Sequence, residues 1–147
     1  MQITSRFTIA VHIITCIDFF KGERKITSEF LAGSIGANPV IIRTVISKLK
    51  AAGIVYTSQG SSDTKLVKPL SEITFYDVYK AVDCVDNEEG LFHFHENPST
   101  ECPVGRNIHG LLDDKLQEIQ DAMENEMKKY TLDNLHESML ELLEKEA

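Results

Sequence analysis

In TSRFTIAVHIITCIDFF (residues 4–20), Phe7, Ala10, Val11, Ile14, Ile17 and Phe20 recur at spacings of three and four. That spacing predicts an amphipathic helix with one face on a core. KGERK interrupts it, and Thr27 or Ser28 can cap a short helix over SEFLAGSI, with Phe30, Leu31 and Ile35 inward. Gly36 permits a tight turn. Asn38 then Pro39 marks a helix start, because asparagine is a favoured N-cap and proline suits the first helical position. In PVIIRTVISKLKAA the inward positions are Ile41 or Ile42, Val45, Ile46 and Leu49. Val40, Arg43, Thr44, Ser47, Lys48 and Lys50 fall on or near the outer side, and Gly53 ends the helix.

Two short helices joined by a glycine-containing turn, the second basic and hydroxyl-rich outside, form a helix-turn-helix pattern. IVYTSQ reads as a strand, GSSD as a turn and TKLVK as a returning strand. A hairpin directly after the second helix of the pair is the wing of a winged helix. SEITFYDVYKAVD predicts a further helix capped by Ser71 or Thr74, and residues 86–105 read as loop. From about Asn107, Ile108, Leu112, Leu116, Ile119, Met123 and Met127 alternate at spacings of four and three. One small domain cannot cover so long a stripe, which points to a twin chain. TLDNLHESMLELLEKEA closes the chain as a short helix with Asp133 near its N-terminus, where the dipole favours negative charge. The expected fold class is mainly α with a small β wing. A winged helix-turn-helix domain occupies residues 1–83, a loop 84–105, and a long dimerisation helix with a C-terminal helix 106–147.

Charge changes the picture. The net charge is −8, yet residues 1–70 carry nine Lys/Arg against four Asp/Glu, and residues 71–147 carry six against nineteen. A basic first half suits a polyanion, and the acidic second half does something else. The 147-residue length and 42% hydrophobic content suit one globular domain or a small domain with an appendage. No secretory signal is read, and residues 7–20 are too short and too interrupted to span a bilayer. Three widely spaced cysteines do not form a secreted disulfide framework, so the expected compartment is the cytoplasm.

The sequence resembles the Rrf-type (Rrf-two) family of bacterial winged-helix transcription regulators, in its cluster-free subgroup, over nearly the whole chain. MQITSRFTIAVHII resembles the family's opening and LAGSIGANPVIIRTVISKLKAAGIV its helix-turn-helix. EITFYDVYKAVD resembles the helix after the wing, and CPVGRNIHGLL the start of the long dimerisation helix. The resemblance implies a homodimer that places its recognition helices in successive major grooves of a palindromic double-stranded operator, as a transcription regulator of repressor type. It implies DNA contacts at Asn38, Val40, Arg43 and Thr44 and at the wing around Gln59 and Gly60. It implies phosphate contacts at Thr4, Ser5, Arg6, Thr27 and Ser28. The chemistry of these residues agrees: Arg43 can donate two hydrogen bonds to guanine, and Thr44 and Val40 can touch a thymine methyl. Lys48, Lys50 and Arg6 suit phosphate. Gln59 stands where many relatives carry a basic wing residue, so the operator need not match theirs.

HFHENPSTECPVGRNIH (residues 93–109) gathers His93, His95, Cys102 and His109. Cluster-binding relatives place three close cysteines in this loop. Here it holds Cys102 alone, so no iron–sulfur cluster, other metal or cofactor is expected. A mixed site at His93, His95 and Cys102 and an ordinary half-buried turn are both compatible with the spacing. Cys102 and Cys16 are candidate redox residues, Cys102 because a helix N-terminus lowers a thiol pKa and Cys16 because it resembles a reactive first-helix cysteine of some relatives. Cys84 reads as packing, and for Cys16 the plain alternative is a small core hydrophobe. No G-x-S-x-G, H-E-x-x-H, phosphate-binding glycine loop or C-x-x-C occurs, so an enzyme is not expected. The competing reading is a winged-helix protein–protein adaptor that does not read DNA.

Overall fold

A computed structural model describes residues 3–82 and 90–147. Cys84 and the expected end of the preceding helix at Asp83 lie outside the described residues. Among the described residues, six α-helices and one antiparallel hairpin run in the order α1 (Ser5–Phe19), α2 (Ser28–Ile35), α3 (Pro39–Ala51), β1 (Val55–Thr57), β2 (Thr64–Leu66), α4 (Phe75–Val82), α5 (Pro103–Met127) and α6 (Asp133–Glu146), with a 3-10 turn over Leu70–Glu72 before α4.

Capping chemistry sets most of the boundaries. Thr4 and Thr27 cap α1 and α2, accepting hydrogen bonds from the Arg6 and Phe30 amides. Of the two caps the sequence leaves open for α4, Thr74 is the one used. Its Oγ1 accepts from the Asp77 amide at 3.1 Å, and Asp77 Oδ2 accepts from the Thr74 amide at 2.9 Å. This reciprocal pair satisfies two amides that the first helical turn cannot.

The core is the meeting of three stripes. Ala10, Ile13, Ile14 and Ile17 of α1, Leu31 of α2, and Ile42, Val45, Ile46 and Leu49 of α3 are all buried, joined by Val78 and Val82 of α4. Ile42 rather than Ile41 takes the inward position on α3, and Ile41 is exposed. In the hairpin, Val55 pairs with Leu66, Tyr56 with Lys65 and Thr57 with Thr64. The paired strands are shorter than the apolar runs that announced them.

The C-terminal half departs from expectation in two ways. First, α5 starts at Pro103 with Cys102 as its N-cap, four residues before the expected Asn107. Pro103 and Gly105 read as loop residues in isolation, but proline is favoured in a first turn. Gly105 is required by a close approach, since a Cβ there would lie 2.5 Å from the Ser99 carbonyl oxygen. Second, α6, grouped with α5 in the expected unit 106–147, returns to the winged-helix core. The Leu132 amide donates to the Ile73 carbonyl and the Phe75 amide to the Tyr130 carbonyl, both at 2.9 Å. The Leu132 side chain is buried in the core cluster, and His136 Nδ1 lies 2.6 Å from Asp18 Oδ2 of α1.

Replacing Leu132 with Ala therefore removes core volume although the residue lies far along the chain. The expected loss is about 2–5 kcal/mol of unfolding free energy in urea titration. A loss below about 1 kcal/mol would show that the segment does not share the core.

Candidate nucleic-acid interface

The α2–α3 turn is built by two residues of opposite function. Gly36 ends α2 in the left-handed region at φ 76°, a conformation that strains other residues. Asn38 restarts the chain, its Oδ1 accepting from the Val40 amide at 2.8 Å, and Pro39 supplies the first-turn φ. With the apolar stripe of α3 buried, Val40, Arg43, Thr44 and Ser47 fall together on the opposite face and all are exposed. Val40 is 59% accessible, a large exposure for an apolar side chain. Thr44 donates its hydroxyl proton to the Val40 carbonyl at 3.0 Å, which leaves its oxygen as an acceptor. Arg43 Nη1 lies 3.9 Å from Glu29 Oε1 at the start of α2, with both side chains more than half exposed. An ion pair so long and so wet holds the guanidinium loosely.

Lys48 is placed differently from the rest. It is half-buried, and its ammonium donates to the Val82 carbonyl at 3.5 Å, at the last described residue of α4. The cation complements the negative end of that helix, so it does not share the exposed face of Arg43 and Thr44. Lys50 is exposed.

At the wing, Gln59 and Gly60 are exposed at the tip of the turn, with Gly60 at φ 73°. The hairpin is tied back to the α1–α2 connection. Ile26 donates its amide to Asp63 Oδ1 at 2.8 Å, and the Thr64 amide donates to the Ile26 carbonyl at 3.1 Å. Asp63, which reads as a plain turn residue, is thus the clamp of the wing. Ser5 and Arg6 are exposed at the start of α1 and form no hydrogen bond or ion pair with α3 or the wing among the described residues. Thr27 spends its oxygen on the α2 cap, and Ser28 donates to Glu29 at 3.3 Å.

The two described cysteines differ. Cys16 is buried in the core, its sulfur 3.5 Å from Ser34 Oγ, which is itself 3.0 Å from His12 Nε2. Cys102 is exposed. Its thiol makes no regular capping hydrogen bond, but the nearby Gly105 and Val104 amides of the first turn hold its pKa below the ordinary 9.0. His93 and His95 are exposed, while the His109 ring packs 4.7 Å from Phe94 and its Nδ1 faces Asp113 Oδ1 at 3.3 Å. The structure does not gather the histidines of this stretch around Cys102. Among the described residues no group of three or more His, Cys, Asp or Glu is arranged to hold a metal ion.

A helix-turn-helix with an exposed Arg/Thr/Val face, followed by a clamped hairpin, places this chain among winged-helix proteins. The family model described as "Rrf2: Iron-dependent Transcriptional regulator" matches residues 3–138. The chain belongs to the Rrf2 family. It is a family of transcriptional regulators rather than of enzymes. The Bacillus subtilis protein YwnA, described as an HTH-type transcriptional regulator, is 39% identical over 131 residues, or 89% of this chain and 94% of YwnA. A crystal structure described as that of a DNA binding protein is 33% identical with a TM-score of 0.72, covering 90% of this chain and 99% of that one. CymR of Bacillus subtilis, titled the global cysteine regulator, shares the fold at a TM-score of 0.63 with 17% identity, covering 92% and 95% of the two chains.

The iron dependence in the Rrf2 description does not fit the described donors. Cys102 is the lone cysteine among them in the loop and at the start of α5, and Cys16 is sealed in the core. Among the described residues, no single helix is long and apolar enough to cross a membrane.

Lowering of the Cys102 pKa raises its thiolate fraction at a given pH. In a Cys84→Ser background, the pH midpoint for alkylation followed at Cys102 by peptide mass mapping should lie lower in the folded protein than in urea. An unchanged midpoint on unfolding would rule out the effect of the helix terminus.

Proposed function

We propose that this Rrf2 regulator binds double-stranded DNA as a homodimer, acts in the cytoplasm, and reads a two-fold symmetric operator to repress transcription. The observation that carries the reading is the α3 face, which exposes Val40, Arg43, Thr44 and Ser47 while the opposite side locks the helix into the core. In this reading Asn38, Val40, Arg43 and Thr44 meet base edges or the adjoining backbone, and Gln59 and Gly60 approach through the wing. Ser5, Arg6, Thr27, Ser28 and Lys50 meet phosphates, with the amides at the starts of α1 and α2 adding anion-binding donors. Lys48 contributes by holding α3 against α4, not by touching phosphate.

The homodimer is supported by α5. Its 25 residues bury one side chain, Gln120; along the stripe Ile119 is 53% exposed and Ile108, Leu112, Leu116, Met123 and Met127 are half-buried, and Val104 and Leu111 are exposed beside it. A second copy of the same stripe offers the apolar surface that the rest of the chain leaves uncovered. The domain division proposed is a DNA-binding unit that includes α6, with α5 as the arm between copies.

Sequence selection from random duplex DNA should enrich a two-fold motif, and failure to enrich any would overturn the reading. Arg43→Ala should weaken binding to that motif by about 1–3 kcal/mol and relax preference at one base pair per half-site. Uniform weakening across sequences would reassign Arg43 to phosphate. Ile119→Asp should shift the chain from dimer to monomer in sedimentation equilibrium, with helix content by circular dichroism showing whether the fold persists. An unchanged mass would remove α5 as the interface.

A further inference from the structure

We infer that the cleft between the α1–α2 turn and the outer face of the wing binds a small organic anion, a carboxylate or phosphate monoester carried on an apolar body. The cleft encloses about 700 Å³, within the range of small-molecule sites. Lys21, Arg24 and Lys25 approach it from the turn and Lys65 from β2. Two carboxylates, Glu23 and Asp63, line it as well. Asp63 already accepts the Ile26 amide, and the Arg24 guanidinium already lies 3.8 Å over the Phe30 ring. Lys21, Lys25 and Lys65 are exposed and form no ion pair among the described residues. Three lysines that form no ion pair among the described residues therefore line one concave surface, an arrangement that concentrates anions there.

The walls exclude a bare inorganic ion as the best fit. Tyr56 lines the cleft at 45% exposed, with half-buried Leu66, while Ile17 and Ile26 behind them belong to the core. Tyr56 and Lys65 are directly opposed in the hairpin register, so ring and ammonium stand on one face of the sheet. An apolar body covers the exposed Tyr56 ring while its anionic head meets the lysines.

The site's position gives it a further property. Both of its walls meet at Ile26, which is bonded through its amide and its carbonyl to Asp63 and Thr64 of the wing. Ile26 directly precedes Thr27, the cap of α2. An anion bridging Lys25 and Lys65 thus fixes the wing to the helix pair that carries α3, and occupancy and operator binding influence each other in equal measure. That coupling rests on the DNA-binding reading; the site does not.

The test is a DNA-free titration of the full chain followed by two-dimensional amide NMR. The probes are octanoate and phenyl phosphate, with benzyl alcohol and inorganic phosphate as the head-free and body-free arms. Saturable shifts at residues 21–26 and 63–66 are expected from the two organic anions. The two control arms should bind at least about tenfold more weakly, as should the organic anions to a Lys21→Gln/Lys65→Gln variant, a change equal to one charge-assisted contact. The remaining amide spectrum of that variant reports whether its fold is intact. The inference is overturned if neither organic anion gives saturable shifts, if the shifts fall on α5, or if inorganic phosphate binds as well as phenyl phosphate. It is also overturned if the cleft amides respond to random-sequence duplex DNA and to neither organic anion, which would make the lysines backbone contacts. Loss of operator binding with the anion response intact would instead count against the DNA-binding reading alone.

Discussion

Burial of the α3 stripe is the constraint on which the rest of this molecule depends. Ile42, Val45, Ile46 and Leu49 are all in the core, and removing several such side chains from water is worth about 1.5–3 kcal/mol each. A turn of α3 about its axis would expose that stripe, so the opposite face has no freedom to choose what it presents. Arg43 and Thr44 point outward because their neighbours cannot. An exposed polar face and a buried apolar one are thus written into the same thirteen-residue helix, and α4, with Lys48 reaching to its last described carbonyl, braces that helix from behind.

Local rules carried most of the winged-helix half. The Asn38–Pro39 start, the Gly36 stop and the Thr27 cap are chemical signals contained in a few consecutive residues, and the structure uses each of them. What was not legible depends on partners distant in sequence. Lys48 looks like an outward cation until α4 supplies a carbonyl 34 residues away. Asp63 looks like a turn former until the Ile26 amide, 37 residues earlier, reaches its carboxylate. Gly105 looks like a helix breaker until Ser99 crosses close above it. In each case the side chain's type was informative and its partner was not.

The acidic second half serves two structural ends. One is α5, whose length and half-covered stripe leave an apolar surface that its own chain does not fill. The other is α6, stitched beneath α1 and the turn before α4 by Leu132 and by the His136–Asp18 pair. The fold therefore does not separate cleanly along the sequence, because its last helix belongs to its first unit. Gln120 accepts the Leu91 amide at 2.8 Å, linking the loop before α5 to the C-terminal part of that helix.

Because α5 runs within a few residues into Leu132, which is buried in the core, the end of the helix is set in rotational phase against that core. Each residue of an α-helix advances about 1.5 Å and turns about 100°. Deleting or inserting one residue beyond Gln120 would change the helix's reach by a negligible amount, yet swing its apolar face by more than a quarter of a revolution relative to the winged-helix core. The count of residues between the apolar face of α5 and the buried Leu132 therefore sets which way that face looks, whereas leucine, isoleucine and methionine differ little in the surface they present along it.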